Sequence, residues 1–212
     1  MITNIGTYSD TNFNNIKEFY SHYVDELTKV SRYLNLEDLE RASNLILETI
    51  NNRGVIYSLG NGGSASIANH LQCDFGKGIS TGTTLMPNIV SLSSEVSTIT
   101  AIANDIGYDE SYSFQLKNYL NHGDLVIAIS SSGNSQNIVK ALQLSKKFQG
   151  VKSILFSGFE GGSASQFADI NIYFPIKNYG VVEDLHQMTM HIIAQYLRWS
   201  HIPTKQVSST VF

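Results

Sequence analysis

Four ionisable side chains in this sequence sit at helical spacing and can move protons or hold a cation. His70 and Asp74 are four positions apart in "ANHLQCDF", and Glu183, Gln187 and His191 step by four through "VEDLHQMTMH". On a helix that spacing places side chains on a common face. An imidazole beside a carboxylate is an acid–base pair. Two imidazoles with two carboxylates are also a donor set for zinc or another first-row ion. The remaining histidines are read differently. His22, His122 and His201 are expected in core or surface positions, and His186, three residues from Glu183, is within reach of a supporting role. Cys73 adjoins Asp74 but has no cation beside it to activate the thiol, so it is read as packing.

Two short loops offer a second kind of chemistry. "SLGNGGSAS" at 58–66 follows the apolar run "VIYSL", and "AISSSGNSQN" at 128–137 follows "DLVIA". Each leads into a helical stretch. A helix N-terminus after a parallel strand presents free N–H groups to an anion. Gly60, Gly62 and Gly63 let the backbone approach it closely, and Ser64, Ser66, Ser130, Ser131, Ser132 and Ser135 supply hydroxyls. A tight turn with a serine cap explains either loop alone; two in the same context favour an anion site. Neither has the G-K-[ST] ending of a nucleotide P-loop. The spacing Gly60, Gly62, Ala65 does mimic a dinucleotide fingerprint, with Glu95 placed to bind a ribose, so a nicotinamide enzyme stands as an alternative. Serines without Lys or Arg suit a single sugar phosphate.

The elements that must position these groups follow from hydrophobic texture. Residues 13–33 carry Ile16, Phe19, Tyr20, Tyr23, Val24, Leu27 and Val30 near helical spacing, and 36–52 repeat the pattern with Leu36, Leu39, Ala42, Leu45, Ile46 and Thr49. Tyr20 and Tyr23 read as buried aromatics. Five Val/Ile-rich runs follow at 54–59, 88–92, 124–129, 152–157 and 169–174, separated by segments long enough for helices. That alternation predicts a parallel sheet covered on both faces. A last helix over 181–199 puts Val182, Leu185, Met188, His191, Ile192, Gln195 and Tyr196 on one face. The 212 residues form one domain in this reading: leading helices over about 13–52, an α/β core over about 54–199, and a turn-prone tail from 200 to 212.

Bulk properties narrow the function classes. The formal net charge is −4 and the charged fraction 15%, so no broad basic face for nucleic acid is expected. No apolar run is long enough to span a bilayer. The polar N-terminal stretch has no signal-peptide pattern. The single cysteine cannot form an internal disulfide, which fits a reducing cytoplasm.

"GNGGSAS", "ANDIGYDE", "AISSSGNSQNIVKAL" and "VEDLHQMTMH" together resemble the sugar isomerase (SIS) domain, and more narrowly the sedoheptulose-7-phosphate isomerases, or phosphoheptose isomerases. The resemblance runs from the leading helices to about Arg198. It implies a flavodoxin-like, five-stranded parallel sheet flanked by helices, and homotetramers whose active sites draw on more than one subunit. The implied reaction interconverts sedoheptulose 7-phosphate and a heptose 7-phosphate on the way to lipopolysaccharide or capsule heptose; some members bind zinc. It also implies that phosphate is held at Ser64, Ser130, Ser131, Ser132 and Ser135, that Asp74 is the base and His191 the acid, and that Asn61 and Asp105 lie near the sugar.

Aldose–ketose isomerisation needs a base near the carbon and an acid or a metal near the carbonyl oxygen. Two positions depart from the family pattern. Asp74 stands where Glu is usual, and Glu183 where Gln is usual. Asp74 is therefore either the base or a metal ligand with Glu183 as base, or all of His70, Asp74, Glu183 and His191 share a divalent ion. The departures also leave a non-catalytic alternative, since some relatives are interaction proteins or sugar-phosphate-binding regulatory domains. The ionisable cluster favours an enzyme.

Overall fold

The β-branched runs form five strands: β1 Val55–Gly60, β2 Asn88–Ser91, β3 Leu125–Ser130, β4 Lys152–Ser157 and β5 Ile170–Tyr173. All neighbours pair in parallel, in the order β2-β1-β3-β4-β5. The computed structural model describes residues 12–203. Most of the tail expected from 200 to 212, and most of the polar N-terminal stretch, lie outside that range. Helices α1 Ile16–Ser31, α2 Leu36–Asn51, α3 Gly63–Cys73, α4 Val96–Asp105, α5 Ser113–Tyr119, α6 Gln136–Ser145 and α7 Tyr179–His201 complete the chain, with short 3-10 turns at Tyr108–Glu110 and Ser163–Gln166. The sheet order is that of flavodoxin-like folds, not the 3-2-1-4-5-6 order of a dinucleotide-binding sheet.

Strand alternation builds two cores. Leu125, Ile127 and Ile129 of β3 point to one face and pack with Ile56, Ile154, Phe156, α2, α3 and α7. Val126 and Ala128 point to the other and pack with Leu59, Leu155, Leu116 and α6. Every residue of β3 is buried, as expected for a central parallel strand. A fully buried Ile such as Ile127 contributes about 2 kcal/mol relative to exposure.

The helices begin where the sequence offers caps. The Asn15 side chain accepts from the N–H groups of Lys17 and Glu18, Asn35 does the same for Glu37 and Asp38, and Asn178 accepts from Val181. Asp74–Ile79 continues α3 as a π-helical segment, "DFGKGI", which packs against α7. Such wide turns often redirect a side chain at a functional site.

Several expectations are corrected. Tyr20 of α1 is 68% exposed, and Tyr23 is half-buried with its hydroxyl donating to Asp184 at 2.7 Å. Cys73 is exposed, because the buried stripe of α3 runs through Ile67, Ala68 and Leu71. The buried face of α7 is wider than one stripe and rotated from the expected one. Leu185, Thr189, Met190, Ile193, Ala194 and Leu197 go inward, while Ile192, Gln195 and Tyr196 are exposed.

Candidate active site

The register of the two central strands sets the site. Gly60, the last residue of β1, pairs with Ile129 of β3, so Asn61, which opens the first loop, and Ser130, which ends β3, lie at the same level on adjacent strands. From this point the chain crosses one way to β2 and the other way to β4, making the β1/β3 gap the topological switch point where open α/β sheets bind ligands.

A cavity of about 280 Å³ opens there, lined by Asn61, Gly62, Gly63, Ser64, Ile129, Ser130, Ser131, Ser132, Ser135, Tyr179 and Glu183. Helices α3 and α6 both start at it, and neither has a side-chain cap. Helices α4 and α5 lack caps too, but their first residues do not line this cavity. Gly62, at φ 55°, turns the chain into α3. The serine hydroxyls divide their roles. Ser130 Oγ accepts from Gly133 N–H at 3.2 Å and Ser132 Oγ from Asn134 N–H at 3.3 Å, so both shape the loop. Ser131 Oγ is buried without a hydrogen-bond partner. A buried hydroxyl left unpaired is costly unless a ligand satisfies it.

The first loop is held from the side of β2. Ser93 Oγ accepts from the Gly60 N–H and donates to the Gly60 carbonyl, both at 3.0 Å, and Tyr112 Oη also donates to that carbonyl. Neither Ser93 nor Tyr112 had a signal in the local sequence, since both act across the fold.

A second cluster lies along α3 and α7, further from the serine loops. His70 Nε2 is 3.2 Å and His191 Nε2 3.0 Å from Asp74 Oδ2, and the two imidazole nitrogens are 3.1 Å apart. These three residues form a group that could hold a metal ion. Asp74 Oδ2 is buried and accepts a hydrogen bond from neither ring, despite the short separations. Two donors on a tetrahedral zinc with bonds near 2.05 Å are about 3.3 Å apart, so the observed spacing fits a small divalent cation. The Gln187 amide nitrogen lies 2.9 Å from His191 Nε2.

Glu183 stands apart from this triad. Its carboxylate lies over Gly63, so close that a Cβ there would meet Oε2 at 2.3 Å. Burial first, and the neighbouring charge of Asp184 second, raise its pKa. A part-buried carboxylate thus borders the cavity at which α3 and α6 begin. Glu183→Gln is expected to tighten binding of inorganic phosphate roughly fivefold at neutral pH, by removing a repulsion of about 1 kcal/mol across a part-exposed pocket. Calorimetry checks this; weaker binding would show that Glu183 supports the anion through its protonated form.

The other predicted positions are placed as follows. Asp105 ends α4, exposed, accepting from its neighbour Asn104 at 2.7 Å, and does not line the cavity. His186 belongs to the core: it is fully buried between Phe156 and Phe174, with Nε2 3.1 Å from the Ser157 carbonyl. Burial lowers its pKa to about 4, so it stays neutral, and it touches none of the triad. Glu95 precedes α4 without capping it. His22 and His201 are half-buried and His122 exposed, none in either cluster.

A flavodoxin-like sheet with serine-lined helix starts at its switch point defines the phosphosugar-binding SIS class, and the SIS domain pattern matches residues 19–157. The chain belongs to this family and, within it, to the phosphoheptose isomerases. It is 36% identical to the phosphoheptose isomerase of Aliarcobacter butzleri over 182 residues, covering 86% of this chain and 94% of that protein. It is 35% identical to the phosphoheptose isomerase of Helicobacter pylori strain P12 over 184 residues, covering 84% and 90%. The solved phosphoheptose isomerase of Neisseria gonorrhoeae superposes with a TM-score of 0.78 at 25% identity, covering 86% of this chain and 98% of that one.

Proposed function

We propose that this chain is an aldose–ketose isomerase that converts sedoheptulose 7-phosphate into a heptose 7-phosphate for lipopolysaccharide or capsule synthesis. The observation that carries the reading is the unpaired, buried Ser131 hydroxyl inside a serine-lined cavity on which two uncapped helices open. The phosphate sits there, against Ser64, Ser130, Ser131, Ser132, Ser135 and the backbone of Gly62 and Gly63. His70 is six positions beyond Ser64 on α3, or about 9 Å along the axis. That is the scale of an extended seven-carbon chain, so a substrate phosphorylated at its far end reaches the triad with its carbonyl end.

There Asp74 takes a proton from C1 of the ketose while His191 protonates the oxygen on C2, giving the enediol. The O1 proton then leaves and a proton returns to C2, so the carbonyl moves to C1 and no atom is gained or lost. His70 lies 3.2 Å from the same carboxylate oxygen, where its imidazolium form would favour the ionised base. A zinc ion held by His70, Asp74 and His191 would instead polarise the carbonyl oxygen, and Glu183 would then be the carboxylate left to act as base.

The chain is proposed to act as a homotetramer in the cytoplasm. Leu36 is 70% exposed, Tyr196 54% and Trp199 66%. Leu36, Leu39, Ile192 and Tyr196 line an apolar groove between α2 and α7 that suits another copy of the chain. Among the described residues no helix is long and apolar enough to cross a membrane.

Ser132→Ala and Ser64→Ala test the phosphate assignment. Each is expected to raise KM for sedoheptulose 7-phosphate by about tenfold and leave kcat nearly unchanged, as loss of a hydrogen bond to a charged group does. Unchanged affinity for the sugar phosphate in both variants would reduce the serine loops to turns.

A further inference from the structure

The two serine loops leave different strands, and a pair of amides bridges them. Asn61 lies in the first loop, and Asn137 is in the first turn of α6, only 1% exposed. Asn61 Nδ2 donates to Asn137 Oδ1 at 2.8 Å, and Asn137 Nδ2 donates back to Asn61 Oδ1 at 2.9 Å. The polarity of this exchange is fixed by the backbone. The Ile138 N–H, which can only donate, contacts Asn137 Oδ1 at 3.0 Å. Oxygen must therefore occupy that end of the Asn137 amide, nitrogen the other, and the Asn61 amide must complement both. Tyr108 Oη donates to Asn61 Oδ1 at 2.9 Å, and Asn137 Nδ2 also reaches Ser111 Oγ at 3.1 Å.

The inventory leaves one group over. Asn61 Oδ1 has both lone pairs engaged and Nδ2 has spent one N–H, while the residue lines the cavity. We infer that Asn137, with Tyr108, is a positioning residue: it clamps Asn61 so that its second N–H is kept for the substrate, and it fixes the first serine loop against the second. The inference rests on the phosphosugar reading of the cavity. The two loops then form one rigid receptor for the phosphate and the adjacent hydroxyl.

The test is a double-mutant cycle on KM and kcat for sedoheptulose 7-phosphate and on the dissociation constant of inorganic phosphate. Asn137→Leu is expected to raise KM about tenfold with little change in kcat, and the Asn61→Ala, Asn137→Leu double variant to be no worse than Asn61→Ala alone. Tyr108→Phe alters an exposed residue and is expected to raise KM about threefold, again without adding to Asn61→Ala; it decides the matter if Asn137→Leu does not fold. Additive losses, or an unchanged KM in Tyr108→Phe and in folded Asn137→Leu, would overturn the clamp while leaving the isomerase reading intact. A wild-type protein that binds no phosphate and turns over no sugar would overturn both.

Discussion

Asp74→Asn will lower turnover of sedoheptulose 7-phosphate by about 10³-fold. The amide keeps the shape of the carboxylate but cannot take a proton at neutral pH, and general-base catalysis is worth roughly 10²–10⁴-fold. Asp74 Oδ2 lies within 3.2 Å of both imidazoles, and Asp74 is the one carboxylate of the triad. The serine cavity does not include Asp74, and affinity for inorganic phosphate should stay within about twofold of wild type. Steady-state kinetics with a phosphate titration separate the two effects. The metal-dependent version of the chemistry adds a signature, because loss of a carboxylate ligand also lowers bound zinc. Turnover within about fivefold of wild type would remove Asp74 from the chemistry.

Gly133→Ala will be the most damaging single methyl group in the serine loops. Gly133 has φ 64°, and a Cβ there would lie 2.1 Å from the Gly161 carbonyl oxygen and 2.8 Å from its carbon. Those atoms are backbone and cannot rotate away. The contact is reciprocal, since a Cβ on Gly162 would meet the Ser132 and Gly133 backbone at 2.3 Å. The loops after β3 and β4 are joined here by the Ala164 N–H donating to the Gly133 carbonyl at 2.8 Å. Alanine must either open that junction or pull the serine loop away from it. Left-handed backbone costs about 1–2 kcal/mol for a residue with a Cβ, and the clash brings the expected loss to about 3 kcal/mol, or roughly 6–12 °C in Tm for a chain of this size. Phosphate affinity should fall more than about tenfold as Ser131 and Ser132 move. Gly62→Ala is the control, because Gly62 also has positive φ, yet a methyl group there would have no neighbour within 4 Å. Equal Tm losses in the two variants would show that backbone strain, not the loop junction, is responsible.

The parts of this architecture that depend on neighbouring residues were readable in advance. Each Val/Ile run became a strand within a few residues of its expected limits; the central β1, β3 and β4 are apolar on both faces, while the edge strands β2 and β5 alternate. The serine loops, and the pairing of His70 with Asp74 four residues on, are similarly local. Contacts across the fold were not readable. The stripe chosen for α7 was rotated because that helix packs on α3, on the sheet and on the leading helices at once, which broadens its buried face beyond one periodic line. Tyr20 was expected inside because it falls near helical spacing with Ile16, Tyr23, Val24 and Leu27, yet α1 covers the fold mainly through its later turns. The Asn61–Asn137 exchange joins residues 76 positions apart, and the Gly133–Gly161 contact joins loops from separate βα units. Neither has a periodic or compositional signature.

A single site that holds a sugar phosphate at the serine loops and moves a proton at the triad must leave an isotopic trace. Incubating the protein with sedoheptulose 7-phosphate in D₂O, and following the sugar by NMR, reads that trace directly. A new aldose anomeric signal is expected, with solvent deuterium entering at the carbons between which the proton moves, and both changes lost in Asp74→Asn. A spectrum that stays that of unlabelled sedoheptulose 7-phosphate, with and without added zinc, would contradict such a site.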